Sequence, residues 1–255
     1  GMINEQNRMD IMTNNLANAS TVGYKKEGST SQSFDDVLTV KIKDQSVGMR
    51  NVQRLGVKNP GVKIGENYTD YSQGSFRITG NTYDLALSGE GFFAIEFTNK
   101  AGETDTKYTR AGQFTLNKDG YLVTEEGDYV LDTQNRRIRL NTLIDSSITD
   151  DGTIYQNGQA VAKIQVTDFE DYDYLEKYGE TYYQPIQGAK TIAAKAQVKS
   201  GYLEMANVQI VSEMVNLISI TRAYESNQKV VQTIDDTLDV AVNQIGRVQQ
   251  SKIKK

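Results

Sequence analysis

No proline or glycine interrupts residues 202–245, and over most of that length the large residues keep a helical period. Leu217, Thr221, Tyr224, Gln228, Val231, Asp235, Leu238, Val242 and Ile245 follow one another in alternating steps of four and three. That spacing is a heptad seam, with Thr221, Gln228 and Asp235 as its polar members. A second stripe of Val211, Val215, Ile218 and Ile234 runs beside it. Residues 203–255 are therefore expected to form one long C-terminal coiled-coil helix. A continuous helix of ~40 residues is ~60 Å long, more than one small domain can cover. Its apolar side needs another helix, from this chain or from a neighbour.

Residues 1–24 supply a candidate. Met2, Met9, Met12 and Leu16 fall close to one stripe, which predicts a helix over 2–18, with Gly23 as its stop. A helix of that length is marginal alone in water, so the simplest arrangement pairs the two ends of the chain in a coiled coil. Helix propensity does not explain Asn14, Asn15 and Asn18, because asparagine competes for backbone hydrogen bonds.

Between the ends the period changes. Residues 25–65 are polar and weakly periodic, and read as an extended or loop connector with a strand at "DDVLTVKIK". Residues 66–202 alternate apolar and polar residues between recurrent turn signals at Gly80, Gly89–Gly91, "KDG", "EEGD", "DDG" and "NG". With only two prolines in 255 residues, Gly and Asn carry the turns. In "YTRAGQFTLNKDGYLV" the expected hairpin sets Phe114 and Leu116 against Tyr121 and Val123 across Asp119–Gly120. The fold class is thus α+β, a mainly-β central domain flanked by paired terminal helices.

Absences narrow the chemistry. There is no Cys and no His, which removes disulfides, thiolate sites, the Ser-His-Asp triad and most zinc sites. The net charge of -5 is spread along the chain and forms no basic footprint for nucleic acid. No apolar run reaches the ~18–20 residues of a membrane span, and no charged, apolar, small-residue order marks a cleaved signal peptide. Gly89 and Gly91 lack the third glycine of a phosphate loop and read as a tight turn before Phe92 and Phe93. Asp145, Asp150 and Asp151 lack the order of a calcium loop. No catalytic, cofactor-binding or metal-binding residue is assigned.

Four segments resemble one family. "MDIMTNNLANASTVGYKK" is similar to the N-terminal signature of the flagellar axial proteins, the rod and hook family. "YDLALSGEGFFAIE" and "YTRAGQFTLNKDGYLVTEEGDYVL" resemble its central segments, with Tyr83 where Leu is usual. "SGYLEMANVQIVSEMVNLISITRAYESNQKVVQTIDDTL" resembles its C-terminal helix. The length and compact β middle are closest to the distal-rod type (FlgG- and FlgF-like), and residues 25–65 carry least of the match. The resemblance implies a non-enzymatic structural subunit of the basal body, required for swimming, that transmits torque from motor to hook. It implies passage through the flagellar export apparatus without a cleaved signal peptide, no membrane insertion, and partners in other copies of itself and in neighbouring rod and hook proteins. Gly1 is not an initiator Met, and the family's chains begin somewhat earlier, which implies a longer first helix. The implied assembly residues are Asn14, Asn15, Leu16, Asn18, Gly23 and Tyr24 at one end. At the other they are Leu217, Thr221, Arg222, Tyr224, Val231, Leu238 and Val242. The asparagines would satisfy groups on neighbouring helices and fix register, as a buried Asn does in a coiled coil.

One rival comes from "FEDYDYLEKYGETYYQP", where carboxylates and tyrosines mix. It reads as a glycan-binding face, or as a glycosidase pair drawn from Glu170, Asp171, Asp173 and Glu176. The plainer reading is a solvated turn whose tyrosines pack on the β core. A glycosidase has no evident use for the long heptad helix. The terminal "SKIKK" reads as a solvated tail.

Overall fold

A computed structural model describes residues 2–33, 37–42, 52–58, 61–99 and 102–252. The chain divides into two compact units, one from residues 1–14, 27–69 and 210–255, the other from 15–26 and 70–209.

The first unit begins with α1 (Met2–Ala17). It continues through β1 (Glu27–Ser33), β2 (Val37–Ile42), β3 (Val52–Lys58) and β4 (Val62–Thr69). β1 pairs antiparallel with β4, Glu27 opposite Thr69, and β2 pairs with β3, Val37 opposite Lys58. The polar connector is thus stranded over most of its described length. Asp35, Asp36 and Lys43, the flanks of the strand expected there, lie outside the described residues. "EGSTSQS" gives no alternation to read, because a backbone ladder and not a buried apolar face defines β1. α1 turns polar groups toward this ribbon. Asn4 Nδ2 donates to Ser31 Oγ at 3.0 Å, and Asn7 Nδ2 to Asn67 Oδ1 at 3.4 Å. Asn4 and Ile11 are buried, whereas Met2, Met9, Met12 and Leu16 are only half-buried. The inward line is rotated from the methionine stripe because the ribbon offers hydroxyl and amide groups to meet.

α2 (Ile210–Lys252) is a single helix of 43 residues. It starts later than the expected 203, because residues 202–204 are strand. Glu213 and Ile220 are buried, and Leu217, Thr221 and Tyr224 are half-buried. Thr221 Oγ1 donates to Leu217 O at 2.8 Å and lies 3.9 Å from Met9 Sδ. From Glu225 to Val240 every side chain is exposed, and that of Ile245 lies outside the described residues. No helix among the described residues is long and apolar enough to cross a membrane.

The second unit is almost all β. Its strands are β5 (Phe76–Ile78), β6 (Leu85–Ser88), β7 (Phe92–Thr98), β8 (Thr104–Thr109), β9 (Phe114–Leu116), β10 (Leu122–Thr124), β11 (Tyr129–Val130), β12 (Ser146–Ile148), β13 (Thr153–Gln156), β14 (Gln159–Lys163), β15 (Val166–Phe169), β16 (Leu175–Tyr178), β17 (Tyr182–Pro185), β18 (Thr191–Ala193), β19 (Gln197–Ser200) and β20 (Tyr202–Glu204). The main sheet runs β16-β17-β8-β7-β11-β10-β9, with β15 joining β7 to β18. β12-β13-β14 form a meander, and β19–β6 and β20–β5 are separate pairs. All pairings are antiparallel.

Alternation on β7 divides the core. Phe93 joins Leu85, Leu87, Phe114, Leu122 and Ile154 in one cluster. Phe92 and Ala94 face a second with Tyr108, Phe169, Leu175 and Tyr183. The predicted hairpin exists with its register moved by one residue. Leu116 faces Leu122 and Phe114 faces Thr124. Asn117 and Tyr121 close a three-residue loop, with Asn117 N donating to Tyr121 O and Gly120 at φ 81°. The extra left-handed residue shifts the pairing that a two-residue Asp-Gly turn would impose.

Candidate assembly interface

The segment after α1 is built into the second unit. The helix ends at Ala17, and Gly23 serves a different purpose from stopping it. With φ +71°, Gly23 brings the chain so close to the loop after β8 that a Cβ would lie 2.2 Å from Ala111 N. Gly23 N donates to Glu204 O at 2.8 Å. Tyr24 is fully buried, and its hydroxyl donates to Asn15 Oδ1 at 3.0 Å, itself buried. Asn18 Nδ2 donates to Glu180 Oε2 at 2.9 Å, and Asn18 Oδ1 accepts from Thr21 Oγ1 at 3.1 Å. Asn15, Asn18, Gly23 and Tyr24, expected as assembly residues, thus have partners inside the subunit. Asn15 satisfies a group of its own connector, and Asn18 one of that connector and one of the distant Glu180. Asn14 and Leu16 are half-buried.

Sequence reasoning missed the residues at the centre of this arrangement. Lys25 Nζ donates to Glu204 Oε1 at 2.6 Å and to Ser72 O at 2.8 Å. Arg110 Nη1 reaches Glu204 Oε2 at 3.3 Å, and Gly74 N donates to Glu204 Oε1 at 3.0 Å. The Arg110 guanidinium also lies over the Phe92 ring, 5.3 Å from its centroid. Burial holds Lys25 below the ordinary lysine range, against the opposing pull of Glu204. A Cβ on Gly74 would lie 1.9 Å from Met205 O, so the chain passes the cluster there only as bare backbone. Asn207 completes the joint, its Oδ1 accepting from Lys26 N at 2.7 Å and its Nδ2 donating to Asp70 O at 2.8 Å. The signal available in the sequence was a lone charge inside an apolar motif, Glu204 in "GYLEM" and Arg110 in "YTRAG".

α2 presents the opposite kind of surface. Val231, Leu238 and Val242 are 46%, 58% and 71% exposed, and Val215, Ile218 and Ile234 also stand in solvent. Arg222 is exposed, while Leu217, Thr221 and Tyr224 are half-buried. The predicted seam is therefore divided. Its first turns are partly covered within the subunit, and the rest is an open apolar stripe.

Comparison with known proteins identifies this architecture. Residues 1–25 match the flagella basal body rod protein family, residues 86–158 the flagellar hook protein FlgE/F/G D1 domain, and residues 199–245 the flagellar basal body rod FlgEFG protein C-terminal family. The chain is 34% identical to the flagellar basal-body rod protein FlgG of Bacillus subtilis (strain 168), with 95% of each chain covered. The chain belongs to the flagellar basal-body rod protein family. It is also 33% identical to the flagellar basal-body rod protein FlgF of Caulobacter vibrioides (strain ATCC 19089 / CIP 103742 / CB 15), over 94% of this chain and 92% of that one. The flagellar hook-basal body complex protein FlhO of Bacillus subtilis (strain 168) is 29% identical over 97% and 96%.

The rod family is structural and not enzymatic. The buried cluster takes one charged residue from each matched segment: Lys25 from the first, Arg110 from the second and Glu204 from the third. Two of the carboxylates that suggested glycan chemistry, Glu170 and Asp171, have structural partners. Glu170 pairs with Lys190 at 3.2 Å, and Asp171 caps a 3-10 turn by accepting from Asp173 N. Tyr183 is fully buried among aromatic rings. Asp151 accepts from the Thr149 and Thr153 hydroxyls, which hold its carboxyl well below the usual range, and Asp150 pairs with Lys199 at 2.8 Å.

Proposed function

We propose that this chain is a rod subunit that polymerises helically through its terminal helices. In this reading α1 and α2 pair as a coiled coil, and the exposed stripe of α2 is covered by helices of neighbouring copies. The observation that carries it is that stripe. Val231, Ile234, Leu238 and Val242 are large apolar side chains more than two-fifths exposed, on a helix of 43 residues. A monomer gains nothing from displaying them, whereas a helical array of helices buries them all.

Membership of the rod family supports the rest of the reading. The subunit passes through the flagellar export apparatus, assembles with neighbouring rod and hook proteins, and transmits torque between motor and hook. The test is complementation of a strain lacking this chain with Leu238→Ala and Val242→Ala variants, scored for swimming and for intact basal bodies. Loss of both with normal subunit levels supports the stripe as the assembly surface. Full motility from both variants contradicts it.

A further inference from the structure

We propose that the Lys25–Arg110–Glu204 cluster is a clamp that closes after the main sheet has folded and licenses the subunit for assembly. The licensing half rests on the reading of the chain as a self-assembling subunit.

Sequence separation gives the order. Lys25 and Glu204 are 179 residues apart, and Arg110 and Glu204 are 94 apart. The joint cannot form until residue 204 is in place, whereas most pairings of the main sheet close between 92 and 185. Apart from Arg110, whose guanidinium lies over the Phe92 ring, the joint stands outside the packing of the sheet. Glu204 lies on the separate β5–β20 ribbon, and neither core cluster includes Tyr24, Lys25, Leu203 or Glu204.

The cluster holds two connectors at one point. Residues 18–26 are tied through Gly23 N to Glu204 O, Lys26 N to Asn207 Oδ1, and Lys26 O to Asp70 N. Residues 205–209 are tied through Met205 N to Ser75 O, and Asn207 Nδ2 to Asp70 O and Ser72 O. Through these connectors the chain passes to and from its two helices.

Buried charge makes the closure two-state. Lys25 and Glu204 are fully buried, and Arg110 nearly so. Burying one of them without its partners costs more than leaving all three in water. The clamp is therefore either complete or open and hydrated. With the clamp open, both helix leads are free, and each copy joining the polymer must pass through the ordering of two connectors.

The test uses the full chain with Glu204→Gln, with Lys25→Met as a milder break that leaves Arg110 on Glu204. Lys163→Met is the control, because it removes only an exposed pair with Asp151. Hydrogen exchange is read on residues 18–26 and 203–209 against β7 and β8, and polymerisation is read by sedimentation. In Glu204→Gln the connectors exchange at least about a hundredfold faster while β7 and β8 stay protected, and polymerisation falls at least about tenfold. Lys25→Met moves in the same direction by less, and decides the matter if Glu204→Gln fails to fold.

Three outcomes overturn the proposal: connectors unchanged, strands losing protection together with connectors, or loosened connectors with wild-type polymerisation. If the wild-type chain itself does not polymerise, the assembly reading fails and the licensing half falls with it. The exchange data then still decide the clamp.

Discussion

Lys25 Nζ stands 2.6 Å from Glu204 Oε1, and neither side chain has exposed surface. Two cations share this one carboxylate, so the three residues are not equivalent. Glu204→Gln leaves both cations buried opposite a neutral amide. Lys25→Met leaves Arg110 and Gly74 N on Glu204. Breaking a buried pair from one side costs about 3–5 kcal/mol. Urea unfolding is expected to place Glu204→Gln in that range, with Lys25→Met losing less. Equal losses would show that Arg110 does not support the carboxylate.

Gly23 is fixed by conformation and by space. Its φ of +71° alone costs an L-residue about 1–3 kcal/mol. Any Cβ must also displace Ala111 N, which is backbone and cannot rotate away. Gly23→Ala is expected to lower unfolding stability by more than the conformational figure. A loss below about 1 kcal/mol would mean that this connector repacks freely.

Tyr172 gives the fold a dependence on alkaline pH. Burial, and then its 2.7 Å hydrogen bond to Asp168, push the phenol above its ordinary value of about 10. A group with a raised folded pKa stabilises fully below the unfolded pKa, and that contribution is lost as pH rises through the folded one. Tyr172→Phe is therefore less stable than wild type at neutral pH, and the gap narrows above about pH 10. Lys25, lowered by burial, works in the opposite sense in both proteins and cancels in the comparison. Denaturation series across that range test this, and parallel stability curves would contradict it.

Tyr224 and Leu238 belong to the same predicted seam but face different surroundings. Tyr224 is half-buried, and Leu238 is 58% exposed. Tyr224→Ala should lower the melting temperature of the isolated subunit. Leu238→Ala should leave stability within about 0.5 kcal/mol. The reverse order in thermal unfolding would mean that α2 is covered along its length within one chain.

The long helix was legible because no Gly or Pro interrupts residues 202–245 and its apolar residues keep one period. Its start was not. Residues 202–209 hold no Gly or Pro to mark a boundary, but pairing of Tyr202–Glu204 with Phe76–Ile78 makes Leu203 a strand residue. The central β unit was legible from alternation and turns. The hairpin register was not, because Gly120 adds a left-handed residue that the Asp-Gly signal does not reveal. The asparagines stood out, but their partners are a tyrosine nine residues on and a glutamate 162 residues away. Local spacing reports the first only weakly and the second not at all. The pairing within the charged cluster was not legible for the same reason, since it joins positions 25, 110 and 204.

The most direct test of the account takes Val231, Leu238 and Val242 to serine together in the full chain. Thermal unfolding and polymerisation by sedimentation are followed on the same preparation. Because all three side chains are largely in solvent, the melting temperature is expected to stay at the wild-type value while polymer formation is lost. Undiminished polymerisation by the triple variant would contradict the claim that this stripe of α2 is the assembly surface.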